Sequence, residues 1–225
     1  MERTNTLLII GAHPDDCEFG AGGTSFEWSG EGTEVHFAIV TDGSKGSADG
    51  TLSGEKLVRQ RQREQRFAAS LLGVRQCHFL GFTDGEVAPG PELHRALVKL
   101  IRELKPETVL THTPEHLNHR PFQSGSNPSI NHRDHRAVGQ CVLDAIYPSA
   151  QNPHEFKELG LEPHRVSQVG LWGGRFADTH VTSLEGMQKK AEALALHKSQ
   201  FPDQDKLFEI ALSWDDFETF ELVRP

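Results

Sequence analysis

The stretch Leu7–Gly23, LLIIGAHPDDCEFGAGG, constrains the fold more than any other part of the chain. Its apolar run, Leu7 to Ile10, stops abruptly at Gly11. A short apolar run closed by glycine has the length of a buried strand and is too brief for a helix. Directly behind it come His13, Asp15, Asp16 and Glu18. Carboxylates this close repel and raise one another's pKa unless a cation stands among them. A divalent metal is the simplest such cation, and the remaining ligands must then arrive from distant parts of the chain.

The pattern that follows alternates between two periods. Val35–Thr41, Gln76–Leu80, Thr108–Thr111 and Val166–Trp172 read as further strands. Between them lies a helix that opens around Phe19–Gly22 and closes near Gly30–Gly32. Glu55–Leu72 reads as a second helix, with Phe67, Leu71 and Leu72 as its inner face and Gly73 as its stop. Pro91–Lys105 carries Leu93, Leu97, Leu100, Ile101 and Leu104 at helical spacing, with proline at its start. His132–Ile146 resumes helix, and Thr182–Glu185 fits a capping box opening a helix that runs to about His197. Gly50–Gly54, Thr113–Asn131 and Tyr147–Pro163 read as loop or irregular, and the tail from Asp203 has no clear period. Strands alternating with helices imply parallel βαβ units. The expected class is therefore α/β, a mostly parallel sheet with helices on both faces, in a single domain spanning residues 1–225.

In such sheets ligands gather at the carboxyl ends of the strands. Ala12–Glu18, Asp42–Gly46, Gly81–Gly85 and Thr113–Asn131 all follow strands and are rich in Asp, His or Gly. Bulk properties remove several function classes. A formal net charge of −9 argues against nonspecific nucleic-acid binding and against docking on an acidic membrane. No run approaches the ~18 apolar residues of a membrane span, and the start of the chain lacks the core of a signal peptide. The 3 cysteines are widely spaced without any CxxC, which points to reduced thiols and a cytoplasmic setting.

His13 and Asp16 can clasp one ion from a single turn. The third ligand has to come from the histidine-dense stretch holding His112, His116, His119, His132 and His135. His132 and His135 are three apart at a helix start and share a face. Two histidines, one carboxylate and an open position make a catalytic zinc arrangement, with Fe2+ an alternative ion for the same donors. Asp15 is then free to take a proton from water. Blander readings exist for each residue. HPDD alone also fits a turn in which Asp16 caps a helix. His36 and His78 lie within strands and read as core or edge histidines. A Cys17 thiolate crowded between Asp16 and Glu18 is electrostatically disfavoured as a ligand.

Taken together, these blocks resemble the PIG-L/LmbE-like family of zinc-dependent N-acetylglucosaminyl deacetylases. The likeness runs through AHPDD with Glu18, Thr41–Gly46, Arg61…Glu64…Leu72-Gly73, Leu80–Gly85, Thr111–Glu115, His132–Val138 and Lys190…His197–Gln200. The resemblance implies a Rossmann-like fold without its dinucleotide and a small-molecule N-acetyl sugar as substrate. It also implies a homo-oligomer. It makes His13, Asp16 and His135 the zinc ligands and Asp15 the general base. His132 becomes the group that stabilises the oxyanion or protonates the leaving amine, and Asp134 a residue that tunes or orients a histidine.

The chain departs from the family pattern in three places. It has HRDH where members often read HPDH, and Ile130 where some carry a tyrosine. Its segment His116–Ser129 is longer than the usual link and reads as a lid or substrate wall. Two rival functions share some of these residues. A non-haem Fe(II) oxygenase would use His13, Asp15 and His135 as a facial triad, and a non-catalytic sugar-binding domain would keep the fold without needing a spare base.

Overall fold

The computed structural model describes residues 1–47, 53–119, 123, 127–211 and 213–225. In chain order the first elements are β1 (Thr6–Gly11), α1 (Asp16–Gly30), β2 (Glu34–Thr41), α2 (Gly54–Leu71), β3 (Gln76–Phe82) and α3 (Pro91–Leu104). Next come β4 (Thr108–His112), β5 (Leu117–Asn118), β6 (Ser129–Ile130), α4 (Arg133–Asp144) and β7 (Gln168–Trp172). The chain closes with β8 (Thr179–Val181), α5 (Leu184–Leu194), α6 (Gln204–Ala211) and β9 (Glu218–Val223).

Among the described residues the main sheet has seven strands in the order β3-β2-β1-β4-β7-β9-β8. The first five are parallel, whereas β9 pairs antiparallel with both β7 and β8. The opening apolar run is continuous because β1 is covered on both faces. Leu7 and Ile9 join the core built with Trp28 of α1, Ala68 and Ala69 of α2 and Ala193 of α5. Leu8 and Ile10 join the opposite core, with Leu97 and Ile101 of α3 and Val138 and Val142 of α4. The mostly parallel α/β sheet with helices on both faces is thus what forms.

Helix α3 shows how local pattern becomes packing. Leu93, Leu97, Leu100 and Ile101 are all buried, each contributing roughly 1.5–3 kcal/mol of apolar burial. Helix α2 corrects the sequence expectation. Leu72 is buried as expected, but Phe67 is 61% exposed and Leu71 36%, while Arg61, Glu64 and Gln65 are buried. Part of the inner face of α2 is polar because Arg61 and Gln65 cover the loop after β1, where their partners are Pro14, Asp15 and Glu18. Helix α1 begins at Asp16, three residues before the expected start, and breaks helical geometry at Ala21 (φ −152°, ψ 30°). The cap of α5 is Ser183, whose Oγ accepts from Gly186 N, and Thr182 stands outside it at φ 88°. The expected loop Gly50–Gly54 lies largely outside the described residues.

Successive strands leave β1 toward β2 and β3 on one side, and toward β4 and β7 on the other. The loops after β1 and β4 therefore part at the carboxyl end of the sheet, opening a crevice at a topological switch point. Close packing holds it narrow. A Cβ at Gly139 of α4 would stand 2.4 Å from the His112 carbonyl oxygen, so only glycine lets α4 lie this near the end of β4.

Candidate metal and catalytic site

A cavity of about 710 Å3 opens at that crevice. His13, Asp15 and Asp16 enter it from the loop after β1, Asp84 from the loop after β3, and His112 from the end of β4. His132 and His135 arrive at the start of α4, and Trp172 at the end of β7. Residues more than a hundred positions apart in sequence thus meet at one sheet edge.

Three side chains converge within it, with Asp16 facing each histidine through a different oxygen. His13 Nδ1 lies 3.2 Å from His135 Nε2 and 3.3 Å from Asp16 Oδ2. His135 Nε2 lies 3.3 Å from Asp16 Oδ1. Donors held ~2.0–2.1 Å from a tetrahedral zinc stand roughly 3.3–3.4 Å apart, so these separations fit a divalent ion. The second nitrogen of His13 faces acceptors, with Asp134 Oδ2 at 3.1 Å and Asp84 Oδ1 at 3.3 Å. That pairing keeps the proton on Nε2 and turns Nδ1 toward the other donors.

The carboxylates around His13 favour a positive charge among them. Burial works to lower the His13 pKa, yet hydrogen bonds to Asp134, Asp16 and Asp84 push it up to about 12. Burial would raise Asp16, but the neighbouring His135 and His112 hold it well below the usual carboxylate range. Asp84, despite burial, is held down to about 2 by His13 and by the Lys45 backbone N–H.

Asp15 has a different environment from its neighbour. It holds φ 101° in the left-handed region, a conformation that costs a non-glycine residue about 1–3 kcal/mol. Its backbone N–H donates to Gln65 Oε1, and its Oδ2 lies 3.5 Å from Arg61 Nη2. Arg61 Nη2 also donates to the Pro14 carbonyl and Nη1 to that of Gly43, fixing the loop from beneath. Burial raises the Asp15 carboxyl to about 6, with Arg61 opposing the rise and Asp16 adding to it.

His132 is the N-cap of α4, and its Nδ1 accepts from Asp134 N at 3.2 Å. In the neutral ring the remaining proton sits on Nε2. Partial burial, then His13 and His135, lower its pKa, so the neutral form is favoured. Asp134 binds two partners through Oδ2, His13 Nε2 and Gly85 N, so the histidine it orients through its side chain is His13.

The facial triad needed by an oxygenase is not formed. The Asp15 carboxylate instead faces Arg61, with its Oδ2 3.5 Å from Nη2. Cys17 is buried in the core, with its thiol pKa pushed well up by burial. His36 and His78 pair with each other on β2 and β3, Nδ1 to Nε2 at 3.2 Å. Asp42 accepts from Ser44 N and Asp84 N, and Arg136 donates to Asn131 O. Asn118 and Ser129 line the cavity, but residues 120–122 and 124–126 of the expected lid lie outside the described residues.

Residues 8–146 match the family PIG-L: GlcNAc-PI de-N-acetylase. The chain belongs to that family. Among PIG-L relatives, the diacetylchitobiose deacetylase of Thermococcus kodakarensis is 33% identical over 199 residues, covering 88% of this chain and 70% of the relative. A probable N-acetyl-alpha-D-glucosaminyl L-malate deacetylase 2 from Bacillus anthracis is 26% identical over 225 residues, covering 96% of this chain and 89% of its own length. The solved N,N'-diacetylchitobiose deacetylase from Pyrococcus horikoshii superposes with a TM-score of 0.83 at 28% identity, covering 98% of this chain and 84% of that one.

Sequence reasoning placed Arg61 and Gln65 in a helix without assigning them to the site. The signal available was a pair of polar residues four apart beside a weak apolar face. The pairing of Trp172 with His112 had no local signal at all.

Proposed function

We propose that this PIG-L protein hydrolyses the N-acetyl amide of an N-acetylglucosamine-type amino sugar or conjugate, releasing acetate. The observation that carries the reading is the division between two adjacent carboxylates. Asp16 faces the histidine donors, while Asp15, buried against Arg61, stays apart with a pKa near 6. A binding module has no use for a base held in this way, and the deacetylases among its relatives favour the hydrolase.

His13 Nδ1, Asp16 and His135 Nε2 would hold a divalent ion, zinc by the family resemblance. When bound, it supplies Lewis acidity toward the amide carbonyl and lowers the pKa of water to ~7. Asp15 accepts the proton of the attacking water, and a base with pKa near 6 is suited to that at neutral pH. The Nε2–H of neutral His132 donates to the developing oxyanion, a contact typically worth ~3–4 kcal/mol. With His132 neutral, the proton that the leaving amine needs is the one Asp15 has taken up. Asp134 and Asp84 keep His13 in the required tautomer.

The three cysteines are free, which fits a reducing cytoplasmic setting. No helix among the described residues is long and apolar enough to cross a membrane. The test is acetate release from a panel of N-acetyl sugars, with and without chelator. Release that stops on metal removal and returns with zinc is expected. Release that persists at full rate without metal would overturn the reading.

A further inference from the structure

We infer that Trp172 and His112 form a positioning relay that orients the Asp16 carboxylate for the metal, and that His112 is not itself a ligand. The inference rests on the metal reading above. Strands β4 and β7 pair with His112 opposite Trp172, so their side chains emerge together at the cavity edge. Trp172 Nε1 donates to His112 Nδ1 at 3.0 Å. An indole N–H can only donate, so His112 Nδ1 must be bare and its proton must sit on Nε2. That nitrogen lies 3.2 Å from Asp16 Oδ2, and it donates to the carboxylate.

The opposite tautomer is worse by a count of contacts. It satisfies the Ala12 N–H, 3.2 Å from Nε2, but sets N–H against N–H at Trp172 and lone pair against carboxylate at Asp16. Ligation through Nε2 would also require a proton on Nδ1, donor against donor at 3.0 Å. Asp16, His112 and His135 are close enough to share an ion on distance alone, as are His13, His132 and His135; the indole argues against the set that includes His112. Trp172 cannot easily swing away. It is 4% exposed, and a Cβ at Gly20 would stand 2.4 Å from its ring, so glycine in α1 makes room for it. The His112 ring is in turn stacked on His135, with centroids 4.0 Å apart and planes at 18°.

The experiment measures zinc affinity of the metal-free protein by competition with a chromophoric chelator, in wild type and in His112→Phe, His112→Gln, Trp172→Phe and the double variant Trp172→Phe/His112→Phe. Thermal melts establish that each is folded. His112→Phe keeps the stacking but not the donor, and should bind zinc about 10–100-fold more weakly. Trp172→Phe should weaken binding by a smaller factor. The double variant should be no weaker than His112→Phe, because the indole acts only through the imidazole. His112→Gln, which can accept from Trp172 and donate to Asp16, should recover most of the affinity. Additive losses in the double variant, or equal affinity in His112→Gln and His112→Phe, would overturn the relay alone. A wild type that binds no zinc would overturn the metal reading and the relay with it.

Discussion

Removing Arg61 should move the pH dependence of turnover in a direction fixed by geometry. Its Nη2 lies 3.5 Å from Asp15 Oδ2, and both side chains are buried. Two unit charges at that separation interact by roughly 4–5 kcal/mol at an effective dielectric constant of ~20. At ~1.4 kcal/mol per pH unit this sets a ceiling of about three units, which water entering the vacated space would reduce to about one or two. Arg61 opposes the rise that burial imposes on Asp15, so Arg61→Met should raise the Asp15 pKa above its present value near 6. In the proposed mechanism Asp15 acts as a base and must be ionised. The acid limb of kcat against pH therefore shifts upward, and the variant loses proportionally more activity at pH ~6 than at ~8. Arg61→Lys keeps the charge without the fork and should shift the limb less. The assay is kcat for acetate release across that pH range, with melts to confirm folding. An acid limb in Arg61→Met that stays in place, or moves to lower pH, would refute the reasoning.

Two further outcomes concern the scaffold. Lys190 and Glu218 form an ion pair of 2.8 Å with both side chains 0% exposed; Lys190→Met should cost about 3 kcal/mol in urea unfolding, the low end for a broken buried pair, because Gly23 N and Thr24 still donate to Glu218. The double variant Lys190→Met/Glu218→Gln should regain more than half of that, and equal losses in single and double would contradict the account. On the β2–β3 side, burial and then the neighbouring His36 lower the His78 pKa. The unfolded chain takes up that proton near pH ~6.5, so stability should fall as pH drops below this value and toward the lower folded pKa. His78→Gln should flatten the acid side of a melting-temperature profile, and an unchanged slope would count against the assignment.

What the sequence made legible was local. Leu7–Ile10 announced a buried strand because covering on both faces demands an unbroken apolar run, and α3 announced itself through a stripe that meets one core. Asp15 and Asp16 were separable in role only with the distant HRDH in view. Helix α2 misled in part because its buried face is mixed: Leu72, Ala68 and Ala69 pack inward, but Arg61 and Gln65 also point inward at a functional loop and Glu64 at Ser199, while Phe67 and Leu71 face out. Strand β9 escaped notice because Glu218 looks like surface until Lys190, on another element, is seen to neutralise it. His112 was visible as a candidate ligand, but its tautomer is set by Trp172, sixty positions on and adjacent only through strand pairing.

The central claim is that Asp16 serves the metal while Asp15 serves the proton, and one pair of readings on Asp15→Asn tests it. Asparagine can keep the contacts of the loop but cannot act as a base. Zinc stoichiometry measured by elemental analysis should equal that of the wild type, while kcat for acetate release should fall by about 10²–10⁴-fold. Zinc lost together with activity, or activity retained with zinc in place, would contradict the division of roles on which the mechanism stands.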